Sequence, residues 1–303
     1  METRILRYFL TIVQQGSISK AATYLHVSQP ALSQQIKALE TTLGTTLFHR
    51  GPRTITLTAK GIYLADRAKE ILALVDKTTN NLQTDQTVIS GNLDLGAGES
   101  HGMQRLMALT SQLQSDYPDI TIRLHSGNAA DTVHRLNAGT LDFGVLMGET
   151  RIDVDQFNAL RLPERDVWGV VLRKDATLAQ KSVLHPADLV GWPLMVSAQG
   201  LQQTNLANWW QAVSDQLTIV GTYNLVFNAA LLAQNGSCLV VTFDHLVNTD
   251  DLSPLTFRPL APTLSDSITL IWRRYQRLSP AATLFLARLK ANLATAVKPP
   301  ARD

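Results

Sequence analysis

A run of uncharged hydrogen-bonding side chains lies near the start of the chain, within VSQPALSQQIKALE, residues 27–40. It presents Ser33, Gln34 and Gln35 where surface helices usually have Glu and Lys. Amides and hydroxyls both donate and accept hydrogen bonds, so they can match a pattern of donors and acceptors on a partner. The edges of base pairs in the DNA major groove present such a pattern.

The apolar spacing of this segment predicts a helix with its polar residues outside. Ser28 is placed to be its N-cap, Pro30 is tolerated in the first turn, and Gly44 ends the helix. The predicted inward stripe is Leu32, Ile36, Leu39 and Leu43, which leaves Gln29, Ala31, Ser33, Gln34 and Lys37 outside.

Two shorter amphipathic segments precede this helix. The first ends at Gly16, and the second follows Ser17 and contains the small pair Ala21 and Ala22, which allows close helix crossing. A short turn at His26 separates it from the third segment. These features predict a helix-turn-helix whose last helix enters the major groove.

Chemistry assigns different roles to the outward residues. Gln bonds bidentately to adenine, Ser bonds several bases, and an Ala methyl contacts a thymine methyl. Lys20 and Lys37 are better placed for phosphates, which position a helix without specifying sequence. The alternative is a small helical bundle whose face is merely polar.

The charge distribution favours the DNA interpretation. Residues 1–60 hold seven Lys or Arg and two Asp or Glu, whereas the other 243 residues hold 20 and 23. A basic head on a nearly neutral body indicates a polyanionic partner for the head. Two β-prone pieces between Thr45 and Thr58 flank a Gly-Pro turn bearing Arg50 and Arg53, which predicts a hairpin, or wing, against the DNA.

The ordered motifs of this head resemble the N-terminal domain of LysR-type transcriptional regulators. They include Phe9, the Ser-x-x-x-Ala-Ala step from Ser17, Val-Ser-Gln-Pro-Ala-Leu-Ser, Gln-Ile-x-x-Leu-Glu, Leu-Gly-x-x-Leu-Phe-x-Arg and Leu-Thr-x-x-Gly. The resemblance covers about sixty residues and implies a winged helix-turn-helix over residues 1–58 that binds double-stranded promoter DNA. It implies DNA contacts at Ser28, Gln29, Pro30, Ala31, Ser33, Gln34, Lys37, Arg50 and Arg53.

Residues 59–88 predict one long linker helix. Leu64, Ala68, Ile71, Val75, Thr78 and Leu82 form a heptad-type seam that is longer than the small head could cover. The alternative is an amphipathic helix that packs only on its own domain. The family resemblance implies a homodimer through this helix, and usually a homotetramer built from dimers.

Residues 91–303 alternate predicted strands and helices, which indicates an α/β domain with a largely parallel sheet. A first set of strands begins at residue 91, and a second begins near Val167. Ser267–Trp272 is expected to rejoin the first set. We therefore expect lobe I at about 91–162 and 266–303, and lobe II at about 163–265. The resemblance implies an effector domain built like a type II periplasmic binding protein.

In open α/β sheets, ligands bind beyond the carboxyl ends of the strands, where helix N-termini offer free N–H groups. We therefore expect a small-molecule effector, anionic in character, between the lobes. Each residue taken singly could instead be only a helix cap. The segment Asn235–Cys238 departs from the family's Gly-x-Gly, so the pocket edge can differ. The candidate effector residues are Ser100, His101, Gly102, Ser126, Gly127, Gly148, Ser197, Gly200, Gln202 and Phe227.

Other functional classes find little support. The chain lacks a P-loop, a dinucleotide fingerprint and metal-ligand spacing, so an enzyme, a metal and a cofactor are not expected. Cys238 is the single cysteine, which agrees with a reducing compartment. The absence of a signal peptide argues against a solute-binding protein for uptake and for a cytoplasmic location away from membranes.

Overall fold

The computed structural model describes residues 1–51, 55–83, 89–148 and 152–296, and the chain divides into two compact units. The first comprises Met1–Gln83 and the second Thr84–Asp303. Within the described residues, every helix is too short or too polar to cross a membrane.

The first unit is a helical bundle with a small hairpin and a long final helix. Its buried core includes Leu6, Phe9 and Ile36, each at most 1% exposed. Gly16 (φ 63°) and Gly44 (φ 62°) end two of its helices in the left-handed conformation, which glycine adopts without strain. Its elements are α1 (Thr3–Gln15), α2 (Ile18–Tyr24), α3 (Gln29–Leu43), β1 (Phe48–Arg50), β2 (Ile55–Leu57) and α4 (Ala59–Gln83).

The second unit is α/β, as the sequence predicts. In chain order it contains β3 (Gly91–Ala97), α5 (Met103–Asp116), β4 (Ile120–Ser126), α6 (Ala129–Asn137), β5 (Phe143–Met147), β6 (Phe157–Arg173), β7 (Pro193–Ser197), α7 (Thr204–Trp209), β8 (Thr218–Tyr223), α8 (Val226–Gln234), β9 (Leu239–Phe243), β10 (Leu255–Pro259), β11 (Ser265–Arg273) and α9 (Pro280–Ala296).

The strands of this unit follow the order β4-β3-β5-β11-β6-β9-β7-β8, with β10 paired to β6. The first half-sheet, β4-β3-β5, is parallel, and so is the second half-sheet, β9-β7-β8. The antiparallel strands β11 and β6 join the two halves. The cleft between the half-sheets therefore lies at a topological switch point.

One strand begins earlier than the sequence suggests. The strand expected near Val167 starts ten residues before it, at Phe157, and runs for 17 residues. Its first part pairs with β11 and its last part with β9 and β10. Because the two parts face different neighbours, the apolar pattern changes along the strand and conceals that it is continuous.

Candidate DNA-binding surface and effector cleft

The start of α3 is fixed by local interactions that orient its first turn. Ser28 adopts an extended conformation, and its Oγ accepts a hydrogen bond from the Ala31 backbone N–H at 3.3 Å. Pro30 occupies the first turn, where a missing N–H costs nothing. His26 turns the chain between α2 and α3 with a φ of 55°. These residues set the direction in which α3 leaves the bundle.

The outer face of α3 is uncharged except for Lys37. Leu32, Ile36 and Leu39 are buried, as the sequence predicts. Leu43 is 41% exposed, contrary to the predicted stripe, because it occupies the last helical position before Gly44. Lys20 on α2 is exposed. The predicted contact residues on α3 and its N-cap are exposed at Ser28, Gln29, Pro30, Ala31, Gln34 and Lys37, and half-buried at Ser33.

The wing, formed by β1 and β2, pairs in antiparallel register from Phe48↔Leu57 to Arg50↔Ile55. Glu40, near the end of α3, accepts hydrogen bonds from the backbone N–H groups of Leu47 at 2.7 Å and Phe48 at 3.3 Å. No local sequence pattern indicates this connection between helix and wing. The Arg50 side chain and all of Arg53, predicted to contact DNA, lie outside the described residues.

One side of α4 packs against its own unit, and another side is exposed to solvent. Leu64 and Ala68, the first seam residues, are buried in the core of the first unit, so this part of the seam packs within the chain. The exposed apolar side chains of the helix include one later seam residue, Ile71. They are Ile62, Tyr63, Ile71 and Leu74.

A cleft opens where the three parallel strands of each half-sheet end. Residues at or just after the carboxyl ends of β3, β4 and β5 line one side, and those of β7, β8 and β9 line the other. The cavity measures about 50 Å³, enough for a small chemical group. Its lining is Gly98, Glu99, Gly127, Met147, Trp168, Ser197, Gln199, Gly200, Gln203, Tyr223, Asn224, Thr242, Phe243 and Leu246.

The structure brings three predicted effector residues into this cleft: Gly127, Ser197 and Gly200. Two others, Ser100 and Ser126, line an adjoining groove of about 310 Å³ along α5. Gly148 lies beside the side chain of Gln203, with a φ of 80°.

The remaining four predicted residues lie away from both the cleft and the adjoining groove. His101 borders a separate groove between α5 and α9, and its ring centroid lies 4.4 Å from that of His245. Gly102 packs against β11, where a Cβ would lie 2.0 Å from the Ile268 Cδ1 atom. Gln202 is exposed, and Phe227 is 70% exposed.

The cleft contains groups that the candidate set omitted, notably Glu99, Gln203 and Tyr223. Tyr223 is the last residue of β8. Most side chains of β8 are exposed, so its sequence pattern does not predict a strand, and no site residue is predicted at its end. Burial raises the pKa of Tyr223, and the nearby Glu99 charge adds to the effect. The Tyr223 hydroxyl therefore stays protonated and donates to the Val241 carbonyl oxygen at 2.7 Å.

A pair of buried carboxyl groups lies where β6 and β11 cross. Asp166 and Asp266 are direct partners in the strand register, and each is at most 2% exposed. Burial raises the pKa of both groups, and for Asp266 the neighbouring Asp166 raises it further. Asn205 donates to Asp266 from α7, so the pair is connected to the second half-sheet.

Sequence comparisons match both units. Residues 3–62 match the model described as "Bacterial regulatory helix-turn-helix protein, lysR family", and residues 86–294 match the "LysR substrate binding domain". The regulator BudR of Raoultella terrigena is 28% identical over 91% of this chain and 96% of its own length. BsdA of Bacillus subtilis is 33% identical over 65% of this chain and 67% of its own length. A probable RuBisCO transcriptional regulator of Synechocystis is 29% identical, and the match spans 53% of that protein.

Solved structures match the fold across both units. Full-length CbnR complexed with its target DNA is similar with a TM-score of 0.76 and 22% identity, covering 96% of this chain and 99% of CbnR. HinK, a LysR family transcriptional regulator from Pseudomonas aeruginosa, is similar with a TM-score of 0.56 and 22% identity, covering 98% of this chain and 99% of HinK.

Proposed function

The chain belongs to the LysR family of bacterial transcriptional regulators, and from this premise we propose that it binds promoter DNA under the control of a small-molecule effector. Residues 1–58 bind DNA, residues 59–88 dimerise, and residues 91–303 sense the effector. We also propose that the protein acts in the cytoplasm, together with its DNA. The observation that supports this most strongly is the uncharged, exposed face of α3 within the basic head.

On this proposal α3 lies in the major groove. Gln29, Ser33 and Gln34 contact base edges, because their hydrogen-bonding groups can distinguish base pairs. Ser28, Pro30 and Ala31 form the end of the helix that approaches the bases. Lys20, Lys37, Arg50 and Arg53 contact phosphates and hold the helix in register.

Footprinting on the region upstream of its own gene tests the DNA-binding proposal. We expect protection of a partly dyad-symmetric site, since a two-fold dimer contacts two half-sites. Four phosphate-binding cations per protomer give a slope of log affinity against log salt of up to about −7 for the dimer. An unprotected region at low salt, or affinity independent of salt, contradicts the proposal.

The exposed apolar residues of α4 support dimerisation through this helix, because Tyr63 and Leu74 remain uncovered within their own unit. We propose a homodimer that pairs further into a homotetramer. Tyr63→Glu should reduce the mass measured by light scattering, while Glu2→Gln, a change at another exposed site, should leave it unchanged. A Tyr63→Glu protein with the wild-type mass contradicts the α4 interface.

We propose that the effector occupies the cleft at the strand ends of the two half-sheets, which correspond to the predicted lobes. Its binding changes the orientation of one half-sheet relative to the other. Gly127, Ser197 and Gly200 support this placement because they line the cavity. Ser100, His101, Gly102, Ser126, Gly148, Gln202 and Phe227 stay predictions at its margins. The anionic character expected from the sequence also stays a prediction, and the charge of the lining weighs against it.

Replacing Gly200 with Leu tests the placement, because a Cβ at Gly200 would lie 2.7 Å from the Trp168 ring and the larger side chain would crowd the cavity that this ring lines. We expect the footprint of this variant to become insensitive to the physiological inducer, with DNA affinity retained. A footprint that still responds to inducer as the wild type does places the effector elsewhere.

A further inference from the structure

The charge of the effector cleft is negative. Its lining includes the carboxylate of Glu99, and Lys and Arg are absent from the described lining residues. A ligand enters such a site most easily when it is positively charged.

Glu99 occupies the position that an anionic ligand would take. It follows β3 in the first half-sheet, and its Oε2 accepts a hydrogen bond from the Val226 backbone N–H at 2.6 Å. Val226 is the first residue of α8, a nine-residue helix, so the carboxylate lies at the positive end of the helix dipole. An anion would have to displace Glu99 and then remain near its charge.

Gln203 adds an unsatisfied acceptor to the same cleft. Its Oε1 is buried and, among the described residues, has no hydrogen-bond partner. The Nε2 atom lies 3.5 Å from the Met147 carbonyl oxygen, which is a long contact. A buried acceptor without a donor is costly, and a ligand N–H group would satisfy it.

Aromatic rings complete the lining. The ring centroids of Trp168 and Phe243 lie 4.3 Å apart, and both side chains are at least nine-tenths buried. The Tyr223 hydroxyl donates its proton to the Val241 carbonyl oxygen at 2.7 Å. Aromatic faces attract cations, most strongly where water is excluded.

From these contacts we propose that the cleft binds a small organic cation, a primary amine or a guanidine with a short carbon chain. The N–H groups bind Glu99 and Gln203, and the alkyl part packs against Trp168 and Phe243. The cavity of about 50 Å³ limits the buried group to this size. This proposal rests on the proposed function, in which the cleft is the effector site.

Three probes of nearly equal size test the charge preference: propylammonium, propionate and 1-propanol. Thermal unfolding and calorimetric titration of the full chain are measured with each, at concentrations on the order of 10 mM, because so small a ligand has few atoms with which to bind. We expect propylammonium to raise the unfolding temperature with increasing concentration. We expect propionate to leave it unchanged and 1-propanol to act weakly.

Glu99→Gln identifies the residue responsible. The new amide keeps an oxygen that can accept from Val226 N–H, so the change removes the negative charge and alters the shape of the side chain very little. We expect propylammonium affinity to fall at least about tenfold, the order expected for a lost charge-assisted hydrogen bond. The control is Asp119→Asn, an exposed carboxylate roughly 20 Å away at the opposite end of β3, which should bind the probe as the wild type does.

Three outcomes overturn the proposal: propionate stabilises more than propylammonium, Glu99→Gln binds propylammonium as tightly as the wild type, or the wild type binds none of the probes. If the wild type binds propionate and Gly200→Leu does not, the cleft still stands as the proposed effector site. That result would refute only the ligand class. Failure of the wild type to protect its upstream region would refute the regulatory function, whatever the probes show.

Discussion

Glu40 offers a sharp test of how the DNA-binding surface is held together. Its carboxylate, on the last turns of α3, accepts hydrogen bonds from the N–H groups of Leu47 and Phe48 at the start of the wing. Glu40→Ala removes both bonds and leaves two backbone donors without this partner. We expect lower stability of the first unit and weaker DNA binding, because the wing loses its attachment to α3.

The lengths of these two hydrogen bonds determine how much stability Glu40→Ala should remove. The bond to Leu47 at 2.7 Å is charge-assisted, and such bonds contribute about 1.5–3 kcal/mol. The bond to Phe48 at 3.3 Å is long, and we take about 0.5–1 kcal/mol for it. Glu40→Ala should therefore lower the free energy of unfolding by roughly 2–4 kcal/mol. Glu40→Gln keeps an oxygen acceptor and should cost about 1 kcal/mol.

Urea unfolding of the full chain, followed by circular dichroism, measures these differences. Glu2→Ala is the matched control, because the Glu2 and Arg4 side chains are both about two-thirds exposed and such ion pairs contribute little. The reasoning is refuted if Glu40→Ala unfolds at the wild-type urea concentration, or if Glu40→Gln is as damaging as Glu40→Ala.

Three further changes test other parts of the structure. Gly61→Ala would place a Cβ 2.1 Å from the Leu47 carbonyl oxygen, so we expect a loss on the order of 3 kcal/mol in urea unfolding. Ser28→Ala removes the N-cap of α3 and should cost about 1 kcal/mol, seen as a lower unfolding temperature. Asp166 has a raised pKa in the folded state, so it stabilises the fold when protonated at low pH and loses this contribution as the pH rises through the folded pKa. Asp166→Asn should therefore stabilise the protein near pH 7, an advantage that shrinks as the pH falls into the ordinary range of a carboxyl pKa; equal stability differences at neutral and acidic pH contradict it.

Local sequence patterns predict much of this fold. The predicted strand and helix of residues 91–115 correspond to β3 and α5 (Met103–Asp116) because both have a regular apolar period. Gly16 and Gly44 end helices in the conformation that their type suggests. The edge strand β8 was missed because most of its side chains are exposed, so its sequence has no buried alternation to detect.

The contacts of the cleft could not be predicted in the same way. Glu99 meets the Val226 N–H across 127 residues of sequence, and Asp166 meets Asp266 through strand pairing. Neither contact leaves a short-range pattern, because each depends on how the two half-sheets join. The strand-end rule predicts a site at these strand ends, and it favours an anionic ligand because it considers helix N-termini and not the side chains that already lie there.

The most direct test of the account compares Gln34→Ala with Lys37→Ala on a panel of sites that differ from the protected sequence by one base pair. We predict that Gln34→Ala lowers affinity for the preferred site by about 1–3 kcal/mol and reduces the discrimination at one position, since a base contact is lost. Lys37→Ala should weaken binding to every site equally and reduce the salt slope. Equal losses on all sequences for Gln34→Ala would contradict the claim that α3 recognises bases through its uncharged face.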